Sequence, residues 1–342
     1  MTYMKRFSLI LFICAALLFS FTGCNAQNTD EDLIPTPAPE IPAEDDGLPV
    51  ADEAFEEPAP EPCTFTVYRY AVSSNAKVYL GDAQNEYNLL IDAVCAGDET
   101  AVLSDYDSAV KAAEVFSESP YSAFAVLELW DDGTIQITYT ENGDADTFDS
   151  AAKAIVEGTV YTESNELETA VGLYGAVCSG FTFEESEENS LYRIIVEKKG
   201  GTKEFAEALN YLFNQNGIPS MLAFGTAADS EHFWVIAELD GVLYHFDPTF
   251  ENSATGGLGL SYFGMSDAAR TSSGCALPCT TGHGAYAETS GEICPDTHFD
   301  GLFTDVTDWK CDVRDHFLYL AYGFESDYLT SVQTSTGAAA AG

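Results

Sequence analysis

The stretch HFWVIAELDGVLYHFDPT, residues 232–249, decides the reading of this chain. Two apolar runs flank Asp240-Gly241, a dipeptide that favours a type I′ turn because both central positions need positive φ. The pattern predicts a hairpin with strands over 232–239 and 242–246. A two-residue loop pairs Leu239 with Val242, and the ladder then places Trp234 opposite Asp247. Diagonal neighbours across an antiparallel pair lie about 7–8 Å apart, so His232 comes within hydrogen-bonding reach of Asp247. Phe233, Val235, Ala237, Leu239, Val242, Tyr244 and Phe246 form the other face, expected to cover the core. His232, Trp234 and Asp247 are then expected to point together toward a site.

A histidine held by a carboxylate is the general-base half of a nucleophilic triad, although one at the start of a strand also fits a structural role. The nucleophile is expected from a helix N-terminus, where amides and dipole stabilise an anion. Thr202 occupies such a place. After it, Phe205, Ala208, Leu209, Leu212 and Phe213 recur at helical spacing, and Gly217 and Pro219 stop the helix. The pattern makes Thr202 its N-cap. Helices are also expected over 164–178, with acidic residues in its opening turn, and over 190–198.

At these residues the chain resembles a bacterial transglutaminase-like domain of the papain-like Cys-His-Asp superfamily. That pattern is G-x-C-x-G-Y-A at a helix start, Gly-Ile about fifteen residues on, H-x-W, and a strand ending in D-x-T. The matching text is Gly200-Gly201-Thr202-Lys203-Glu204-Phe205-Ala206, Gly217-Ile218-Pro219, His232-Phe233-Trp234 and Asp247-Pro248-Thr249, with Tyr262-Phe263-Gly264-Met265 beyond it. The resemblance implies an α+β, papain/transglutaminase-like fold: a helix carrying the nucleophile position, packed on an antiparallel sheet. It also implies roles for Thr202, His232 and Asp247 as the triad positions and for Trp234 at an oxyanion or cleft.

The departure falls on the nucleophile, where Thr202 replaces Cys. A thiol ionises near pKa 8.5, whereas an alcohol is far harder to deprotonate, and threonine is hindered as well. Glu204 replaces a glycine and sets a carboxylate beside the developing charge, as Glu231 does beside the base. The expected site is therefore degenerate. Gly175-Ala176-Val177-Cys178-Ser179-Gly180-Phe181 offers a real thiol in a similar C-x-G-F setting, and Cys178 is the alternative nucleophile.

Outward from this core, 63–158 reads as a small α/β or α+β domain with no chemical motif. It has a strand over 64–71, a helix over 85–97, a hairpin around Asp131-Asp132-Gly133 and a helix over 150–157. The transglutaminase-like domain is expected over 159–330 and a frayed tail over 331–342. At the other end, Lys5 and Arg6 precede a short apolar run, the layout of a signal peptide over 1–23. Phe21-Thr22-Gly23-Cys24 resembles a lipobox, with Phe where Leu is usual, which implies lipidation of Cys24 and an anchor on the extracytoplasmic side of the cell membrane. Residues 25–62 hold eight of the thirteen prolines, twelve acids and no Lys or Arg, so 24–62 reads as an extended stalk.

The 342 residues carry 56 Asp plus Glu against 13 Lys plus Arg, a net charge of −43. Such a surface repels phosphate backbones and excludes nucleic acid as a partner. Of nine cysteines, Cys14 and Cys24 fall in the leader and at the lipid site. In an exported chain some of the other seven are expected to pair. Cys275, Cys279, Cys294 and Cys311 crowd near His283 and His298 at spacings that disulfides or, less readily, zinc could use. No EF-hand loop is present. The expectation is a cell-surface lipoprotein with no metal or cofactor, catalytically impaired, whose domain binds peptide, protein or cell-wall material. The alternatives are an active hydrolase or acyl transferase using Thr202 or Cys178, and a structural acidic spacer.

Overall fold

A computed structural model describes residues 59–323 and 330–334. The expected signal peptide, Cys24, most of the stalk and the end of the tail lie outside the described residues. Backbone contacts group the described residues into one compact unit. Among the described residues no helix is long and apolar enough to cross a membrane.

The first half is built from helices Ser74–Leu80, Gln84–Ala96, Tyr106–Phe116 and Ala145–Glu157. Asp105 and Asp144 start the last two by accepting the N–H groups of Ser108 and Thr147, which satisfies donors that a helix start leaves open. The hairpin around Gly133 forms as expected, Ala125–Leu129 pairing with Thr134–Tyr139, and Thr100–Val102 adds a third antiparallel strand. No strand forms over 64–71. Half-buried Phe65 and Val67 alternate there with exposed Thr64, Thr66 and Tyr68, but the segment lies on helices. The Phe65 N–H donates to Glu157 Oε1 and the Tyr68 N–H to Gln215 Oε1. The period of two is real, and side chains rather than a neighbouring strand satisfy the backbone.

In the second half, helix Glu166–Gly180 starts at Asn165 with a full capping box to Glu168 and is buried along most of its length,. Helix Leu191–Glu197 follows, capped by Ser190. A short parallel pair, Thr182–Phe183 with Lys199–Gly200, then delivers the chain to helix Thr202–Gln215. That helix packs on an antiparallel sheet of five strands in the order Glu288–Ser290, Cys279–Thr281, Ser220–Ala227, Ser230–Leu239, Val242–Phe246. The result is the α+β arrangement expected from the sequence. The register runs from Leu239↔Val242 to Val235↔Phe246 as the Asp240-Gly241 turn dictates.

Both faces of this sheet are covered. Val235, Ala237, Leu239, Tyr244 and Phe246 join the main core. Trp234, expected at an open site, belongs with Ala223, Ile236, Cys279 and Cys294 to a second buried cluster. The main cluster runs without interruption from Ala76 to Leu320, so the two sequence-defined regions, 63–158 and 159–330, share one core. A last sheet, Val306–Asp312, Phe317–Tyr322 and Thr330–Gln333, includes residues 331–333 of the expected tail. Buried Thr334 fastens it: its Oγ1 donates to Glu168 and its carbonyl accepts from Asn165.

Candidate active site

Gly201, not Thr202, is the N-cap of helix Thr202–Gln215. Close approach demands glycine at Gly200, whereas at Gly201 a Cβ would meet only the movable end of exposed Glu185. A Cβ on Gly200 would fall 2.8 Å from Glu204 Cβ and one on Gly201 would fall 2.6 Å from a Glu185 carboxylate oxygen. With glycine as cap, Thr202 takes the first helical position, and its side chain faces the hairpin.

Thr202 Oγ1 lies 3.2 Å from His232 Nδ1, and His232 Nε2 lies 2.6 Å from Asp247 Oδ2. The hydrogens follow from the partners. An ionised Asp247 only accepts, so Nε2 carries a proton; in the neutral imidazole Nδ1 is then the acceptor and the Thr202 hydroxyl donates to it. Thr202 Oγ1 also accepts the Phe233 N–H at 3.4 Å. The imidazole stacks on Phe250, ring centres 4.3 Å apart. The three positions named from the sequence thus form one relay, half-buried at Thr202 and buried at His232 and Asp247.

Asp247 caps helix Pro248–Thr255, Oδ1 accepting the Phe250 N–H. Its Oδ2 accepts a second donor, Arg270 Nη1, at 2.6 Å. Burial alone would raise the Asp247 pKa, but Arg270, then His232 and the Phe250 amide, bring it below the ordinary value. Arg270 is fully buried, its guanidinium 4.1 Å from the centre of the Trp234 ring and 5.4 Å from that of Phe250.

Two expected roles change. The Trp234 indole N–H, assigned to an oxyanion by resemblance, donates to His245 Nδ1 at 2.9 Å, and His245 Nε2 meets Asp267 Oδ1 at 3.0 Å. With both ring nitrogens engaged, burial holds the His245 pKa down to about 4, so it is neutral. Glu204, expected beside the nucleophile, instead turns back and accepts the Gly201 N–H at 2.9 Å. Its charge serves the helix N-terminus.

Cys178 does not join the site. It is fully buried, and its thiol is pushed well above the usual range by burial and the nearby Glu251. All seven cysteines among the described residues are free thiols, contrary to the expected disulfides. They form no single cluster: Cys178 sits on a buried helix and Cys311 beside Glu168, whereas Cys279 and Cys294 pack together in the sheet's second core. His283 faces Glu118, so the 275–311 cysteines and histidines make no common ligand set.

Two other groups have metal-like spacing, His232 with Asp247 and Cys275, and His245 with Asp267 and Cys294. Neither fits a cation. Arg270 occupies Asp247 in the first, and the second has no free imidazole nitrogen.

Arg270 is the residue that sequence reading missed. It lies in the six-residue helix Asp267–Ser272, too short for a periodicity that would say which way it points. Its only signal is a cation in a chain with so few.

Residues 153–248 match the family model of the transglutaminase-like superfamily. A protein from Cytophaga hutchinsonii, described as a candidate cysteine protease, is 19% identical at a TM-score of 0.26, over 30% of this chain and 37% of its own. A crystallised TGase is 13% identical at a TM-score of 0.27, over 38% of this chain and 47% of its own. The match to each spans less than half of that protein's length. No curated protein matches the chain significantly. The interval of the family match contains Thr202, His232 and Asp247, and the chain carries a transglutaminase-like domain.

Proposed function

We propose that this chain is a surface lipoprotein, anchored through Cys24, whose transglutaminase-like domain is impaired in acyl transfer and acts by binding peptide, protein or cell-wall material. The observation that carries this reading is a threonine at the nucleophile position of a relay whose carboxylate is already neutralised by Arg270.

An alcohol can be activated by a His–Asp pair when the carboxylate stabilises the imidazolium that forms. Here Arg270 shares the Asp247 oxygen that His232 uses, so a proton arriving on His232 meets a second cation on that oxygen. The Phe233 amide occupies a lone pair of Thr202 Oγ1, and the Trp234 N–H is committed to His245. Each of these opposes attack by Thr202 or support of the resulting oxyanion. The net charge favours cationic or neutral ligands.

Incubating the purified full chain with a fluorogenic peptide amide is expected to give no turnover. Turnover that disappears in His232→Ala would overturn the reading. The 3.2 and 2.6 Å contacts favour one rival, a hydrolase or acyl transferase using Thr202. An adduct on Thr202 from an electrophilic amide probe would support it.

A further inference from the structure

Away from the relay, a groove of about 330 Å³ runs between helix Gln84–Ala96 and strand Thr100–Val102. Thr202, His232 and Asp247 do not line it. Its helix wall is apolar, with Leu89, Ala93 and Ala96. Leu89 is 52% exposed, and Val102 across from it is 74% exposed. Ala101, Val102 and Leu103 all line the groove, although their side chains alternate between the two faces of the sheet, so the strand presents its edge to it,.

That edge is open. Thr100–Val102 is the outermost strand of its sheet and pairs only with Thr134–Tyr139. The Glu99 carbonyl accepts the Ile137 N–H, and the Leu103 N–H donates to the Gly133 carbonyl. Positions 99, 101 and 103 thus bond toward the sheet, and in an antiparallel ladder the intervening positions turn their backbone groups the other way. The N–H and C=O groups of Thr100 and Val102 therefore face outward, with no protein partner among the described residues. The charge beside them has one sign. Asp92 and Asp98 line the groove and no Lys or Arg does. The Tyr70 hydroxyl donates to Asp92 Oδ1 at 2.5 Å, which leaves the negative charge uncompensated. Residues 78–110 hold seven acids and no Lys or Arg.

We propose that this edge receives an extended basic peptide segment of a partner protein, which adds a strand beside Thr100–Val102, seats apolar side chains against Leu89 and Val102 and sets Lys or Arg near Asp92 and Asp98. Main-chain bonds supply affinity in such an addition, and alternate side chains choose the partner. Edges that must stay unpaired are commonly guarded by charged side chains or proline on the strand. This one carries Thr, Ala and Val. A second copy of the chain, an anionic lipid surface, or the chain's own acidic segment 25–62 would each meet like charge here,. The assignment is independent of whether the relay is catalytic.

The test is fluorescence anisotropy of a fluorescein-labelled Lys-Val-Lys-Val-Lys-Val peptide titrated with the full chain at about 0.15 M ionic strength, where long-range attraction is largely screened. The expected result is saturable binding, at least tenfold weaker for the same peptide N-methylated at every residue and for its Glu-Val counterpart. Val102→Pro, which removes an edge N–H, and Asp92→Asn combined with Asp98→Asn are each expected to lower affinity at least fivefold. Glu187→Gln combined with Glu188→Gln makes the same change in net charge away from the groove and is expected to leave affinity within twofold. If Val102→Pro does not fold, the N-methylated peptide, measured on the native chain, decides the matter. Absence of saturable binding, equal binding of the N-methylated peptide, or equal losses from the two pairs of charge substitutions would overturn the proposal.

Discussion

Arg270 Nη1 lies 2.6 Å from Asp247 Oδ2, the same oxygen that receives His232 Nε2, and both Arg270 and Asp247 are fully buried. The pair fixes Asp247 as a carboxylate and locks the hairpin end to helix Asp267–Ser272. Removing one partner of such a pair leaves an uncompensated buried charge, which costs about 3–5 kcal/mol. Arg270→Met is therefore expected to lower the unfolding free energy by about that amount in urea titrations. Arg270→Met combined with Asp247→Asn is expected to recover part of it, because the stranded charge is gone.

The neutral His245 gives stability a pH dependence whose sign is fixed. Its pKa is about 4 in the folded chain against an ordinary 6.5, so the unfolded chain takes up the proton first as pH falls. The stability held by neutral His245 is complete above about pH 6.5 and is lost toward pH 4. The difference is worth about 3 kcal/mol. Glu118 and Glu207, raised to about 7 by burial, act in the opposite direction between about pH 4.5 and 7. Comparison with His245→Gln cancels their contribution. Between about pH 7.5 and 4.5 the native chain is expected to lose about 2–3 kcal/mol more than the variant.

Trp234→Phe tests the reassignment of the indole. It leaves His245 Nδ1 without a donor in a buried cluster, at a cost of about 1–3 kcal/mol. If the N–H is structural, the loss appears in unfolding free energy, and the His232-dependent thiol reactivity of a Thr202→Cys background is unchanged. A fall in that reactivity with unaltered stability would return Trp234 to the site.

Glu204→Gln keeps an acceptor for the Gly201 N–H while removing the charge. It is expected to change stability by no more than about 1 kcal/mol and to leave the wild-type chain inert toward peptide amides. Activity released by this substitution would show that the carboxylate suppresses the site, as its sequence position suggests.

The hairpin was legible because a two-residue turn leaves no freedom in register, and the register alone brings His232 to Asp247. Thr202 was legible because a helix start with a defined stop lies upstream. The covered second face of the sheet was not, since its partners come from 277–294, where loops alternate with three-residue strands too short to show a periodicity. Strand Ser220–Ala227, with Gly225 and Thr226 within it, lacks a strong alternation. Residues 64–71 alternate for a reason that a single sequence does not distinguish from a ladder: one side rests on helices. Arg270, which sets the electrostatics of Asp247, reaches it by a contact across 23 positions that no local pattern encodes.

An intact relay behind a nucleophile position occupied by an alcohol makes Thr202→Cys the decisive variant. Its new thiol should react with iodoacetamide, the adduct at position 202 being mapped by mass spectrometry. His232→Ala in the same background should slow that reaction at least tenfold by removing the base. This gain in the variant is expected alongside a wild-type chain that turns over no amide. A thiol at position 202 no more reactive than the buried native thiols, or a wild-type turnover abolished by Thr202→Ala, would contradict it.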